Sequence, residues 1–175
     1  MDLVIETNRL ILREIRPTDA EAMFVLDSNP NVHQYLGNDP VTSIEQCYGY
    51  IDAIRNQYIQ NGIGRFAVQL KDSNEVIGWA GLKFITEPEH KHVNFYDIGY
   101  RLQENHWRKG YALEAAKAWL NHGFHSMKIP EVYASAHIDN IGSNAILTKI
   151  GLNYIEKFYY DDLPCNWYHL KNPTL

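Results

Sequence analysis

DIGYRLQENHWRKGYALEA, residues 97–115, passes from an extended run into a helix through a short polar loop holding Arg108, Lys109 and Gly110. After Gly110, Leu113, Ala116, Leu120, Phe124 and Met127 recur at helical spacing. Glu114, Lys117, Asn121 and His125 fall on the opposite stripe, so one face of this helix packs on a sheet. A helix N-terminus leaves backbone N–H groups unpaired and carries a partial positive charge. Gly110 lets the chain approach an anion without a Cβ in the way, and the two cations add charge at the mouth. The segment Trp107–Ala112 therefore suits a pyrophosphate. It matches neither G-x-x-x-x-G-K-[ST] nor G-x-G-x-x-G, so those patterns indicate no nucleoside triphosphate or nicotinamide cofactor. A plain turn with solvated cations fits the same spacing.

Working outward, HVNFYDIGYRL (92–102) and EVYASAHI (131–138) read as strands on either side of that helix. This β-α-β step holds the parallel crossover, expected right-handed. RLILREI (9–15) is a first strand, and RPTDAEAMFVLDS (16–28) a helix with Thr18 or Asp19 as N-cap. A second helix lies in residues 41–62, with a Thr42/Glu45 capping box and Gly62 at its end. Its apolar positions are Ile44, Tyr48, Ile51, Ile54 and Tyr58. RFAVQL and VIGWAGLKFI pair across KDSNE. DNIGSNAILTKIG (139–151) is a short helix capped by Asp139 or Asn140, and LNYIEKFYY with CNWYHL closes a hairpin across DDLP. The order is β-α-α-β-β-β-α-β-α-β-β. It specifies an α+β domain spanning 1–175, with a mixed, mostly antiparallel sheet flanked by helices.

The chain has 175 residues, 45% of them hydrophobic, enough for one core. Its net charge of −5 argues against a general nucleic-acid partner. No apolar stretch approaches the ~18 residues of a membrane span, and the acidic start lacks a secretory pattern, so a cytoplasmic location is expected. Cys47 and Cys165 read as reduced thiols.

Taken together, these residues resemble the GNAT N-acetyltransferases, in particular the RimJ/RimL-like branch. The matching motifs are Asp97-Ile98-Gly99-Tyr100 and Trp107 through Ala115. They are joined by the opening Thr7, Arg9, Leu10, Leu12, Arg13 and the late Asn140, Ser143, Ile146 or Leu147, Lys149, Gly151. The resemblance implies a GNAT-like fold, acetyl-CoA as co-substrate and transfer of acetyl to an amine. It implies that main-chain groups of Tyr100, Arg101 and Leu102 pair with the pantetheine arm. The amides of Trp107, Arg108, Lys109, Gly110, Tyr111 and Ala112 would then take the diphosphate, and Asn140 would hold the cofactor. The chain departs from the family by carrying Arg108 where glycine is common. It also has Leu147 where many members place a proton-donating tyrosine.

The reaction needs a base for the amine and stabilisation of the leaving thiolate. Asp97, a carboxylate in an apolar strand, is the first choice for the base; an ion-paired strand carboxylate is the competing reading. His137 is the runner-up. Ser143 either donates to the sulfur or only caps a helix. EPEHKH (87–92) lacks a full ligand set, so no metal is expected. Tyr159, Tyr160, Trp167 and Tyr168 serve the core or wall an acceptor pocket, and Asp161 and Asp162 attract a cation or form a turn. The expected partner is an amine, either a peptide N-terminus or a small molecule, with no membrane and with an oligomer allowed. The rival reading is a non-catalytic acyl-CoA-binding sensor or regulatory module.

Overall fold

The computed structural model describes residues 3–175. Its strands are β1 (Val4–Glu6), β2 (Leu10–Glu14), β3 (Arg65–Leu70), β4 (Val76–Ile85), β5 (Phe95–Leu102), β6 (Glu131–His137), β7 (Asn153–Tyr160) and β8 (Leu163–Lys171). Its helices are α1 (Ala20–Asp27), α2 (Pro30–His33), α3 (Ile44–Asn61), α4 (Tyr111–Asn121) and α5 (Ile141–Lys149). The strands make one sheet in the order β1-β2-β3-β4-β5-β6-β8-β7. Every pairing is antiparallel except β5 with β6, the expected parallel step.

One face of the sheet carries Leu12, Phe66, Val68, Leu82 and Ile98 against α4. The other packs Ala67 and Trp79 against α1 and α3, and buries Ile85, Phe95, Tyr133 and Trp167 farther along. The 86–94 loop covers this second patch. His92 stacks on Trp167 with ring centres 5.5 Å apart and on Tyr133 at 4.5 Å, while His90 meets Phe158 at 4.7 Å.

Several boundaries differ from the sequence reading. β1 is an additional strand, too short to show a period. The second helix starts one residue later than a Thr42 cap would place it. Its N-cap is Ser43, and Gln46, not Glu45, accepts from the Thr42 and Ser43 amides at 2.8 and 3.1 Å. Tyr48 is exposed, and Cys47 takes the buried position beside Ile51. Asp19 is the N-cap residue of α1, as expected, but its side chain makes no capping bond to that helix. It accepts from Arg13 at 2.8 and 2.9 Å and from the Arg16 amide at 2.8 Å. The last hairpin turns on Asp161 and Asp162, both in the left-handed region that two-residue turns favour.

α4 ends at Asn121 and runs on as a π-helical turn, His122–Ser126, which shifts the phase of the apolar stripe. Ala116, Leu120 and Phe124 of the expected stripe are buried in the core, and Trp119 joins them, fully buried and edge-on to Phe66 at 4.7 Å. Trp119→Ala is expected to cost about 3–5 kcal/mol, a large share of a typical ~5–15 kcal/mol total. Urea unfolding reads this directly, and an unchanged midpoint would show that the indole does not support the core.

Candidate active site

The parallel neighbours β5 and β6 meet at one residue pair, Asp97 opposite Tyr133. On its other side β5 is paired along its length with β4, and β6 with β8. Beyond Asp97 and Tyr133 the two strands run to Leu102 and His137 without further pairing to each other. Their facing backbone groups therefore border a wedge that an extended ligand can satisfy. Both strands hand over at their carboxyl ends to helices, so the N-termini of α4 and α5 lie at the wide end. Ligands of open sheets with parallel strands settle at such a place.

The loop from β5 to α4 is built rigidly. Trp107 Nε1 donates to Leu102 O at 2.7 Å, and Gln103 Nε2 to Ala22 O at 3.1 Å. Arg108 (φ 61°) and Gly110 (φ 84°) are both left-handed. Glycine adopts this conformation freely, whereas at Arg108 it costs ~1–2 kcal/mol. The Trp107 amide is already spent on Glu104 O at 3.0 Å, and the helical ladder opens with Glu114 N on Gly110 O, also 3.0 Å. Between them, the amides of residues 108–113 donate to no protein acceptor among the described residues. The Arg108 and Lys109 side chains are exposed beside them. This donor set fits a diphosphate. Trp107 contributes through its ring and not its amide, and the Leu102 carbonyl is already occupied.

Tyr100 and Ser143 come together on the α4–α5 side of β5. The Tyr100 hydroxyl lies 3.1 Å from both Ser143 O and Ser143 Oγ. Burial pushes the Tyr100 hydroxyl far above its ordinary pKa, so it remains a donor at any working pH. Asn140 caps α5, its Oδ1 accepting from the Ser143 amide at 3.0 Å. Leu147 is buried in the core and offers no proton.

Asp97 lies on the opposite face of β5, flanked by α1 and α3 on one side and the 86–94 loop on the other. Arg65 forms an ion pair with its carboxylate and also donates to Asp97 O at 2.9 Å. Gly99 makes room for that guanidinium; a Cβ there would sit 2.7 Å from Arg65 Nη2. Burial pushes the Asp97 carboxyl up, against the pull of Arg65. The Arg101 side chain does not enter the wedge. It binds Asp27 at 2.7 Å and lies over Trp79.

The sequence places Glu89 only in the polar EPEHKH run and does not mark it as a base. The Glu89 backbone exchanges two hydrogen bonds with His92, at 2.9 and 3.0 Å. Its half-buried carboxyl has no hydrogen-bond partner among the described residues. Burial, then the nearby Asp97 charge, pushes it up to about 7. Only the folding of the loop over the aromatic patch creates that environment, so no local signal marked it. Glu156 holds the same loop through His90 at 3.1 Å and Lys91 at 2.7 Å. Among the described residues no three His, Cys, Asp or Glu side chains converge as a metal set. His137 packs 5.3 Å from the Tyr35 ring, its Nδ1 accepting from the Asp139 amide at 3.1 Å.

A mostly antiparallel sheet split at one parallel pair, with free amides at the mouth of the split, defines an α+β fold with a place for an extended anionic ligand. The pattern of the acetyltransferase (GNAT) domain matches residues 9–153, and the chain belongs to that family. It is 34% identical over 148 residues to the uncharacterized N-acetyltransferase YoaA of Bacillus subtilis, covering 85% of this chain and 81% of that protein. In fold it resembles a GNAT-family acetyltransferase from Bacillus anthracis, with a TM-score of 0.81, 24% identity and coverage of 97% and 99%. It also resembles RimL, a ribosomal L7/L12 α-N-protein acetyltransferase in complex with coenzyme A, with a TM-score of 0.80, 20% identity and coverage of 97% and 98%. The chain is thus an acetyltransferase. No helix among the described residues is long and apolar enough to cross a membrane.

Proposed function

We propose that this acetyltransferase uses acetyl-CoA to acetylate a primary amine by direct transfer. The acceptor is the α-amine of a protein N-terminus or a small-molecule amine, and the reaction is cytoplasmic. The observation that carries the reading is the row of free amides at residues 108–113, set at the mouth of the β5–β6 wedge. The names of similar proteins support the acceptor class, since they include N-acetyltransferases and an α-N-protein acetyltransferase. Bound acetyl-CoA supplies the acetyl group and a thiolate leaving group. The amides of residues 108–112, with Arg108 and Lys109, hold its diphosphate, and the β5 backbone at Tyr100 and Arg101 aligns the pantetheine arm. Asn140 fixes the start of α5, and Ser143 donates a hydrogen bond to the departing sulfur while Tyr100 orients that hydroxyl. Asp97 takes the amine proton on the far face of β5. The net charge of −5 steers cationic acceptors toward the site.

A panel of polyamines, amino acids, amino sugars and N-terminal peptides, read by release of free CoA, tests this. Release with at least one amine is the expected result. Tight CoA binding without release across the panel would favour the sensor or regulatory module.

The placement of Glu89 gives a second reading of the base. Its folded pKa of about 7 lies above the ordinary 4.5, so its ionisation opposes folding, and stability falls as pH rises from about 4.5 through 7. Glu89→Gln is expected to flatten that fall, as read by thermal melting between pH 4 and 8. Should the acidic limb of kcat/KM vanish with Glu89→Gln and persist in Asp97→Asn, the base is Glu89.

A further inference from the structure

The Thr7/Arg9 opening is one of the strongest sequence motifs, yet none of its residues has a place in the chemistry above. The structure gives it one. The tip between β1 and β2 docks on the first turn of α4. Thr7 Oγ1 donates to Glu114 Oε1 at 2.6 Å, and the Arg9 amide donates to the same oxygen at 2.9 Å. Arg9 Nε donates to Glu114 Oε2 at 2.7 Å, and Arg9 Nη1 to Lys109 O at 2.9 Å. The guanidinium lies 4.4 Å from the centre of the Tyr111 ring. A Cβ on Gly110 would come within 3.3 Å of Arg9 Nη2.

These contacts converge on the loop whose amides are free. Lys109 sits between the two left-handed residues, Arg108 and Gly110. A strained backbone of this kind persists only where its surroundings over-determine it. Arg9 supplies that restraint from a different part of the chain, and Glu114 with Thr7 fixes Arg9 in turn. Burial works against ionisation of Glu114, but the hydrogen bonds from Thr7 and Arg9 hold its carboxyl below the usual range. The carboxylate is thereby turned toward the hairpin tip.

Building on the acetyl-CoA reading above, we propose that Thr7, Arg9 and Glu114 form a clamp that pre-shapes the phosphate loop. They are positioning residues, acting through Lys109 and the amides of 108–113 and not by contact with the reacting atoms. The clamp and simple electrostatics predict opposite signs at Glu114. Removing a carboxylate next to an anion site strengthens anion binding if charge alone matters. It weakens binding if Glu114 seats Arg9.

The test is calorimetric affinity for acetyl-CoA in Glu114→Ala, Glu114→Gln, Arg9→Ala and Thr7→Val. The rate with S-acetylpantetheine, a donor lacking the diphosphate, is measured alongside. The clamp requires Arg9→Ala and Glu114→Ala each to weaken acetyl-CoA about tenfold, the scale of one charge-assisted hydrogen bond. Glu114→Gln, the gentler change, weakens it less but in the same direction, and the S-acetylpantetheine rate is unchanged in all variants. Tighter binding in either Glu114 variant overturns the clamp. So does an equal loss with both donors, which marks a general structural defect. If the unaltered protein fails to bind acetyl-CoA, the function reading falls; if it binds and the variants match it, only the clamp falls.

Discussion

Asp97→Asn is expected to lower kcat by about 10²–10⁴ while acetyl-CoA affinity stays within about threefold. The carboxylate sits on the face of β5 away from Tyr100 and Ser143, so its loss leaves the cofactor side intact. Asparagine keeps the shape and an acceptor for Arg65 but cannot take a proton. Arg65 retains its bonds to backbone oxygens, including Asp97 O at 2.9 Å. Breaking a buried ion pair typically costs about 3–5 kcal/mol, so melting must be measured beside the kinetics. Arg65→Gln separates the roles by sign. The guanidinium pulls the Asp97 pKa down, so removing it raises that pKa and moves the acidic limb of the rate profile to higher pH. Full activity of Asp97→Asn across the pH range would place the base elsewhere, with Glu89 next in line.

Gly110→Pro should be the most damaging single change for cofactor binding. Gly110 has φ 84°, whereas the proline ring fixes φ near −65° and also removes one of the free amides. A shift of the loop there would also disturb the adjacent Lys109 carbonyl, which accepts from Arg9 Nη1 at 2.9 Å. Losing two or more charge-assisted amide contacts predicts a Kd for acetyl-CoA at least ~10²-fold higher by calorimetry. Gly110→Ala is the graded comparison. It keeps the amide and meets only Arg9 Nη2 at 3.3 Å, so the main penalty is the ~1–2 kcal/mol of a left-handed alanine. Unaltered affinity in Gly110→Pro would remove the loop from the binding site.

What the sequence made legible was local. The passage from β5 through the loop to α4 is written in adjacent residues, and so is the hairpin around Asp161 and Asp162. Three residues of β1 carry too little pattern to register. The helix cap at Ser43 was misplaced by one position because Thr42, Ser43, Glu45 and Gln46 offer overlapping capping boxes. The working contacts of the site were not legible, because they join residues far apart in the chain. Arg65 reaches Asp97 across 32 positions, Tyr100 reaches Ser143 across 43, and Thr7 reaches Glu114 across 107. Periodicity assigned Asp97 and Ser143 to their elements but could not show that they face opposite sides of β5. Glu89 lay in a polar stretch that reads as solvated, and only the stacking of His90 and His92 on the aromatic patch takes it out of water.

The lone parallel contact at Asp97 and Tyr133 divides the sheet mechanically. β1 to β5 form one raft and β6 to β8 another, joined by a single ladder rung, by the aromatic cluster of Phe95, Tyr133 and Trp167, and by the shared core under α4. A thioester carrier lying along the split would act as a temporary extra strand, lashing the rafts together. Rigidity would then be lent by the substrate for each turnover and given back when the spent carrier departs.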